Sequence, residues 1–137
     1  MREILFRGKR ADNGAWVEGA FCMKDCDEPF GDMVDRPSII KYENPCIGFW
    51  FRVKPETVGQ FTGLTDKNGK KIFEGDVVTH RWYNEEIVNF QIEFVSGEFI
   101  AVPVKKRDGV WAIRISGQGE QFIIIGNIHD NPELLEG

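Results

Sequence analysis

The chain has 137 residues, 42% of them hydrophobic, with eleven Phe and four Trp; this size fits one domain with enough aromatic surface for a real core. Its 22 Asp and Glu against 17 Lys and Arg leave a net charge of −5, which argues against a dedicated duplex-DNA binder gripping with its whole surface. Charged residues at Arg2, Glu3, Arg7, Lys9 and Arg10, no apolar run near the ~20 residues of a membrane span, and three cysteines that cannot all pair predict a cytoplasmic protein without a membrane partner.

In chain order, residues 2–7 and 15–22 flank Asp12-Asn13-Gly14, a hairpin signal, with Ile4, Phe6, Trp16 and Ala20 or Cys22 expected to face the core. The stretch 24–36 carries five carboxylates, a Pro and a Gly and reads as an exposed loop. Ser38 to Tyr42 and Ile47 to Val53 read as strands, and Pro55 begins at most a helical turn or two.

Gln60 to Val78 is the most organised run. Asp66-Lys67-Asn68-Gly69 and Glu74-Gly75-Asp76 are turn signals in which Gly69 and Gly75 supply positive φ. Lys70 to Phe73 is a brief extended link, and Val77-Val78-Thr79 launches a strand. Val88, Phe90, Ile92 and Phe94 alternate with Asn89, Gln91, Glu93 and Val95 as a half-buried strand, and Phe99 to Val104 returns it. Val110 to Ile115 is expected as another strand. Phe122 to Ile125, apolar throughout, is expected to be buried on both faces. Asn131-Pro132-Glu133 predicts a short terminal helix or helical turn, capped by Asn131. Many short strands separated by turns predict a mainly β fold, a small barrel or sandwich.

The central run Val58 to Val78, with Gly63, Asp66, Asn68, Gly69, Glu74, Gly75 and Asp76 as its punctuation, resembles the signature of the YopX family. Arg2-Glu3-Ile4-Leu5-Phe6-Arg7 and Ile125 to Leu135 match the family's opening and closing blocks, so the resemblance spans nearly the whole chain. It implies a mainly β fold with an SH3-like barrel at 58–137 and an N-terminal hairpin region at 1–57, or one globular unit. It also implies a source in bacteriophages or prophages, hence a bacterial host cytoplasm, and it brings no activity or catalytic residue with it.

Several constellations of reactive or charged residues have plainer readings. Cys22, Cys26 and Cys46 with His80 or His129 offer only one pair at zinc-ligand spacing, so no metal is expected. No Ser or Cys is tied by spacing to a His, and Gly117-Gln118-Gly119 precedes no phosphate-binding helix. The expectation is therefore no enzyme, no cofactor and no small-molecule substrate. Asp25, Asp27, Glu28, Asp32 and Asp35 miss calcium-loop spacing and read as a solvated acidic loop. Arg81 and Trp82 (followed by Tyr83), and Lys105, Lys106 and Arg107 near Trp111, set cations beside aromatics, as single-stranded nucleic-acid binders do, although a solvated β-turn with core tryptophans is the favoured, plainer reading. The functional expectation is a non-enzymatic module for binding a protein or its own copies through loops or strand edges, giving a homo-oligomer. Single-stranded DNA or RNA binding is the alternative.

Overall fold

The computed structural model describes residues 3–23, 37–44, 47–83, 85–117 and 119–136. The acidic stretch 24–36, with Cys26 and its five carboxylates, lies outside the described residues, as do Cys46 and Gln118. Two compact units divide the chain, Met1–Gln60 and Phe61–Gly137. Both are antiparallel β structures, so the mainly β expectation holds.

In the first unit, β1 (Phe6–Lys9), β2 (Trp16–Met23), β3 (Pro37–Asn44) and β4 (Ile47–Arg52) lie in the order β4-β3-β2-β1. The first hairpin turns through a longer loop than a two-residue Asn-Gly turn. Arg10 N–H donates to Ala15 O at 2.8 Å, and the Asn13 side-chain oxygen accepts the Ala15 N–H at 2.9 Å. Its inward face also differs from expectation. The register pairs Gly8 with Val17 and Phe6 with Gly19, so Val17, one residue after Trp16, turns inward with Phe6 and Phe21. Ile4 and Ala20 are exposed, and Trp16 and Cys22 are half-buried. Trp16 instead carries the Arg7 guanidinium 4.7 Å and the Lys9 ammonium 5.6 Å from its ring centroid. Val17, Ile39 and Val53 form a small core, against which Phe6, Phe21, Phe51 and Val58 pack. A fully buried side chain such as Ile39 contributes about 1.5–3 kcal/mol. A 3₁₀ turn at Pro55–Thr57 follows, then β5 (Gly59–Thr65), whose first residues pair with β1.

In the second unit, the rest of β5 pairs with β6 (Lys71–Phe73). A five-stranded sheet has the order β10-β9-β8-β7-β11, from β7 (Asp76–Arg81), β8 (Ile87–Val95), β9 (Glu98–Pro103), β10 (Ile113–Arg114) and β11 (Ile123–Asn127). β10 and β11 are its outer strands, and among the described residues no pairing joins them into a closed barrel. Ile72, Val78, Phe90, Ile92, Ala101, Ile115 and Phe122 form the core of this unit.

Four expectations change here. Val88, Phe90 and Ile92 are buried, but Phe94 is 49% exposed at the strand end, where it pairs with Phe99 at 4.9 Å between centroids. Ile123 and Ile125 are exposed because β11 is an edge strand, so of Phe122 to Ile125 only Phe122 is fully buried. Val110 to Ile115 contributes a two-residue strand, Ile113–Arg114. The chain ends in a 3₁₀ turn, Pro132–Leu135, without a side-chain cap; the Asn131 oxygen accepts Asn127 N–H at 3.3 Å instead.

The signature run shows why its residue types sit where they do. Asp66 is 2% exposed, and its carboxylate accepts backbone N–H groups from Asn68 (2.9 Å), Lys70 (2.8 Å) and Ile124 (3.0 Å). Burial pushes its pKa up, but the three N–H donors and the Lys70 charge outweigh that and hold it below the ordinary 3.8. Asp76, also buried, accepts Phe73 N–H at 2.8 Å across the second turn. Gly75, at φ 91°, ties that turn to two distant segments: its N–H donates to Ile92 O in β8 at 2.8 Å, and its own carbonyl accepts the N–H of Ile128, just after β11, at 3.0 Å. Gly63 (φ 88°) lies where the β5–β6 register shifts, Gly69 (φ 81°) ends the first turn, and Glu74 is half-buried.

Candidate interaction surface

Two connections of the second unit meet beside the outer end of its sheet. The first is the turn from β7 to β8, closed by Trp82 N–H to Glu86 O at 2.8 Å and Glu85 N–H to Trp82 O at 2.9 Å. Glu85 takes φ 66° without being Gly, a conformation that costs of order 1–3 kcal/mol and marks a tightly constrained turn. The second connection runs from β9 to β10 through Lys105, Lys106, Arg107 and Trp111. Trp82 joins them: its indole N–H donates to Gly109 O at 2.8 Å. Arg107 adds an ion pair to Glu86 at 2.7 Å.

Three rings converge here. Trp82 lies 5.1 Å from Trp111 and 5.2 Å from Tyr83, steeply inclined to both, and Tyr83 and Trp111 are 6.2 Å apart at 31°. Their exposures differ sharply: Trp82 is 7% exposed, Trp111 54% and Tyr83 86%. Trp82 also packs on Phe90 at 5.7 Å, so it belongs to the core and holds the other two in place. Tyr83 and Trp111 form an aromatic step whose position is set from beneath. A cleft of about 650 Å³ on one side includes His80, Arg81, Arg114 and Gln121 among its walls, and one of about 550 Å³ includes Glu86, Arg107 and Asp108.

The residues that the alternative, nucleic-acid reading would use are thus only partly brought together. Trp82 is a buried anchor, not a stacking face. Arg81 pairs with Glu85 at 2.9 Å, Arg107 with Glu86, and Arg114 on the far wall with Glu98 at 3.4 Å. Lys105 and Lys106 are exposed, and Lys105 borders a separate depression of about 170 Å³ with Ile87, Val104 and Leu134. Tyr83, noted in the sequence only as a neighbour, is the most exposed ring of the step; its place beside Trp111 depends on contacts between connections far apart in the chain. His80 is half-buried at the end of β7 against Phe122 (5.1 Å) and Phe90 (6.3 Å), with Nε2 3.0 Å from the Gln121 side-chain oxygen. Its surroundings are aromatic. Among the described residues, no group of three His, Cys, Asp or Glu is placed to hold a metal ion, and no helix is long and apolar enough to cross a membrane.

Fold and surface together define a mainly β protein of two antiparallel units, the second presenting an aromatic step over a buried tryptophan. Within that class the chain belongs to the YopX family: residues 6–136 match the family model described as YopX protein. Among solved structures it is similar to the crystal structure of protein EF1440 from Enterococcus faecalis, at 25% identity and a TM-score of 0.53, covering 98% of this chain and 99% of that one. No curated protein matches the chain.

Proposed function

We propose that this YopX protein is a non-enzymatic interaction module, carried by a bacteriophage or prophage and acting in the host cytoplasm, that docks a protein partner on the step of Tyr83 and Trp111. The observation that carries this reading is two large exposed rings packed against a buried third. A rigid aromatic surface gives contact area at little entropic cost, as binding hot spots do. The SH3-like arrangement implied by the resemblance agrees with such use, since small β units bind through their loops and strand edges.

Single-stranded nucleic acid is the second reading, favoured by the clefts' arginines. Each of these already faces a carboxylate, and a phosphate chain would have to displace Glu85, Glu86 and Glu98 while remaining beside their charges. Self-assembly is a form of the first reading. The outer strand β4 exposes Ile47, Phe49 and Trp50, and edges of this kind accept a further strand.

A photo-crosslinking amino acid at position 83 of the full chain, expressed in bacterial cells, tests the proposal. The expected product is a discrete adduct that resists nuclease, yields protein sequence and disappears when Trp111→Ala is added. An adduct removed by nuclease would transfer the surface to nucleic acid. Absence of any adduct, with the variant folded, would overturn the docking surface.

A further inference from the structure

Resting on that reading, we infer that the step receives a cationic side chain of the partner protein, a guanidinium or an ammonium, with Asp108 as its counter-charge. A cation within about 6 Å of an aromatic face is attracted by the ring quadrupole, most strongly for Trp. This chain uses that attraction repeatedly within itself. Arg7 and Lys9 lie over Trp16, Arg10 lies 4.6 Å from the Phe51 centroid, and Lys71 lies 5.9 Å from Phe61. Among the described residues no cation lies over Tyr83 or Trp111, although these rings are exposed and two arginines are close by in the chain. The arginines are held elsewhere, Arg81 by Glu85 and Arg107 by Glu86.

The charge of one of the two clefts beside the step points the same way. The cleft beneath Tyr83 and Trp111 is bordered by Glu86, Arg107 and Asp108. Arg107 is matched by Glu86, and Asp108 has no ion-pair partner among the described residues. In the lining of this cleft Glu86 and Asp108 outnumber Arg107, and Lys105 and Lys106, exposed just before it in the chain, lie outside that lining; a net carboxylate beside exposed aromatic faces favours a cation. The whole chain, at −5, steers approaching ligands in the same sense.

The test titrates the full chain with a tri-arginine peptide blocked at both ends, read by the indole N–H resonances, with a tri-citrulline peptide as the neutral control. Expected are saturable shifts at Trp111 with the cationic peptide and none with the control. Asp108→Asn should weaken binding, and Tyr83→Ala should weaken it about two- to fivefold, the range of an exposed cation–π contact. Tyr83 is 86% exposed, so its truncation leaves the fold intact and serves if Trp111→Ala does not fold. Equal binding of the citrulline peptide, or unchanged affinity in Asp108→Asn, would overturn the inference. So would shifts at Trp111 from a single-stranded oligothymidine in place of the peptide. A protein adduct at position 83 without tri-arginine binding would leave the docking surface standing and reject only the partner's chemistry.

Discussion

The Asp66 carboxylate accepts the backbone N–H of Ile124 at 3.0 Å, across 58 positions of sequence. Its other oxygen closes the turn to Asn68 and Lys70, so one side chain ties the signature turn to the outer strand β11. Asp66→Asn should therefore cost more than a turn substitution. An amide offers one acceptor where the carboxylate serves three donors, and its NH₂ group must face an N–H. A loss of about 2–3 kcal/mol in urea unfolding is expected, the scale of charge-assisted bonds and orphaned buried donors. A change within about 0.5 kcal/mol would show that water replaces those bonds.

The same residue sets an acid response. The folded pKa of Asp66 is depressed below 3.8, so its contribution is fully present above the unfolded value and is lost as pH falls through the folded one. The difference in stability between wild type and Asp66→Asn should be constant above about pH 5 and shrink as pH falls through 3.8 and below. Urea midpoints measured over that range check this; a difference that widens on acidification would have the wrong sign.

Gly75 separates backbone strain from crowding. A Cβ there would find no atom nearer than His129 Nε2 at 3.6 Å, yet φ is 91°. Gly75→Ala should cost about 1–2 kcal/mol through the backbone alone. Thermal unfolding of the variant measures this, and a stabilised Gly75→Ala would mean the turn relaxes to negative φ.

Trp82→Phe tests the anchor under the step. The change keeps an aromatic ring against Phe90 but removes the donor to Gly109 O. Stability should fall by about 1–2 kcal/mol, and hydrogen exchange should quicken at Val110, whose N–H bonds to Arg107 O. If exchange in that connection is unchanged, the step is positioned by something other than Trp82.

Much of the fold was legible because its signals are local. The β5–β8 region follows from Gly69 and Gly75, where tight turns need positive φ, and from the alternation of Val88, Phe90 and Ile92. The errors came where a residue's surroundings lie far away in sequence. Trp16 and Val17 are both apolar, and only the pairing of Gly8 with Val17 decides which faces the core. Ile123 and Ile125 are as apolar as any buried strand, but β11 has one neighbour instead of two. At the step, the sequence favours Trp82 and Trp111 alike as core rings, and the fold buries Trp82, bonded to Gly109 O, while leaving Trp111 exposed.

By itself, then, the order of residues determined the β class, the turns and the family block around Asp66, because turn geometry and strand alternation act over a few neighbouring bonds. Which aromatics meet solvent, and that Arg81 and Arg107 meet carboxylates, only the tertiary structure decided. Burial and charge pairing depend on groups that the chain brings together from distant connections, and adjacency in sequence does not encode them.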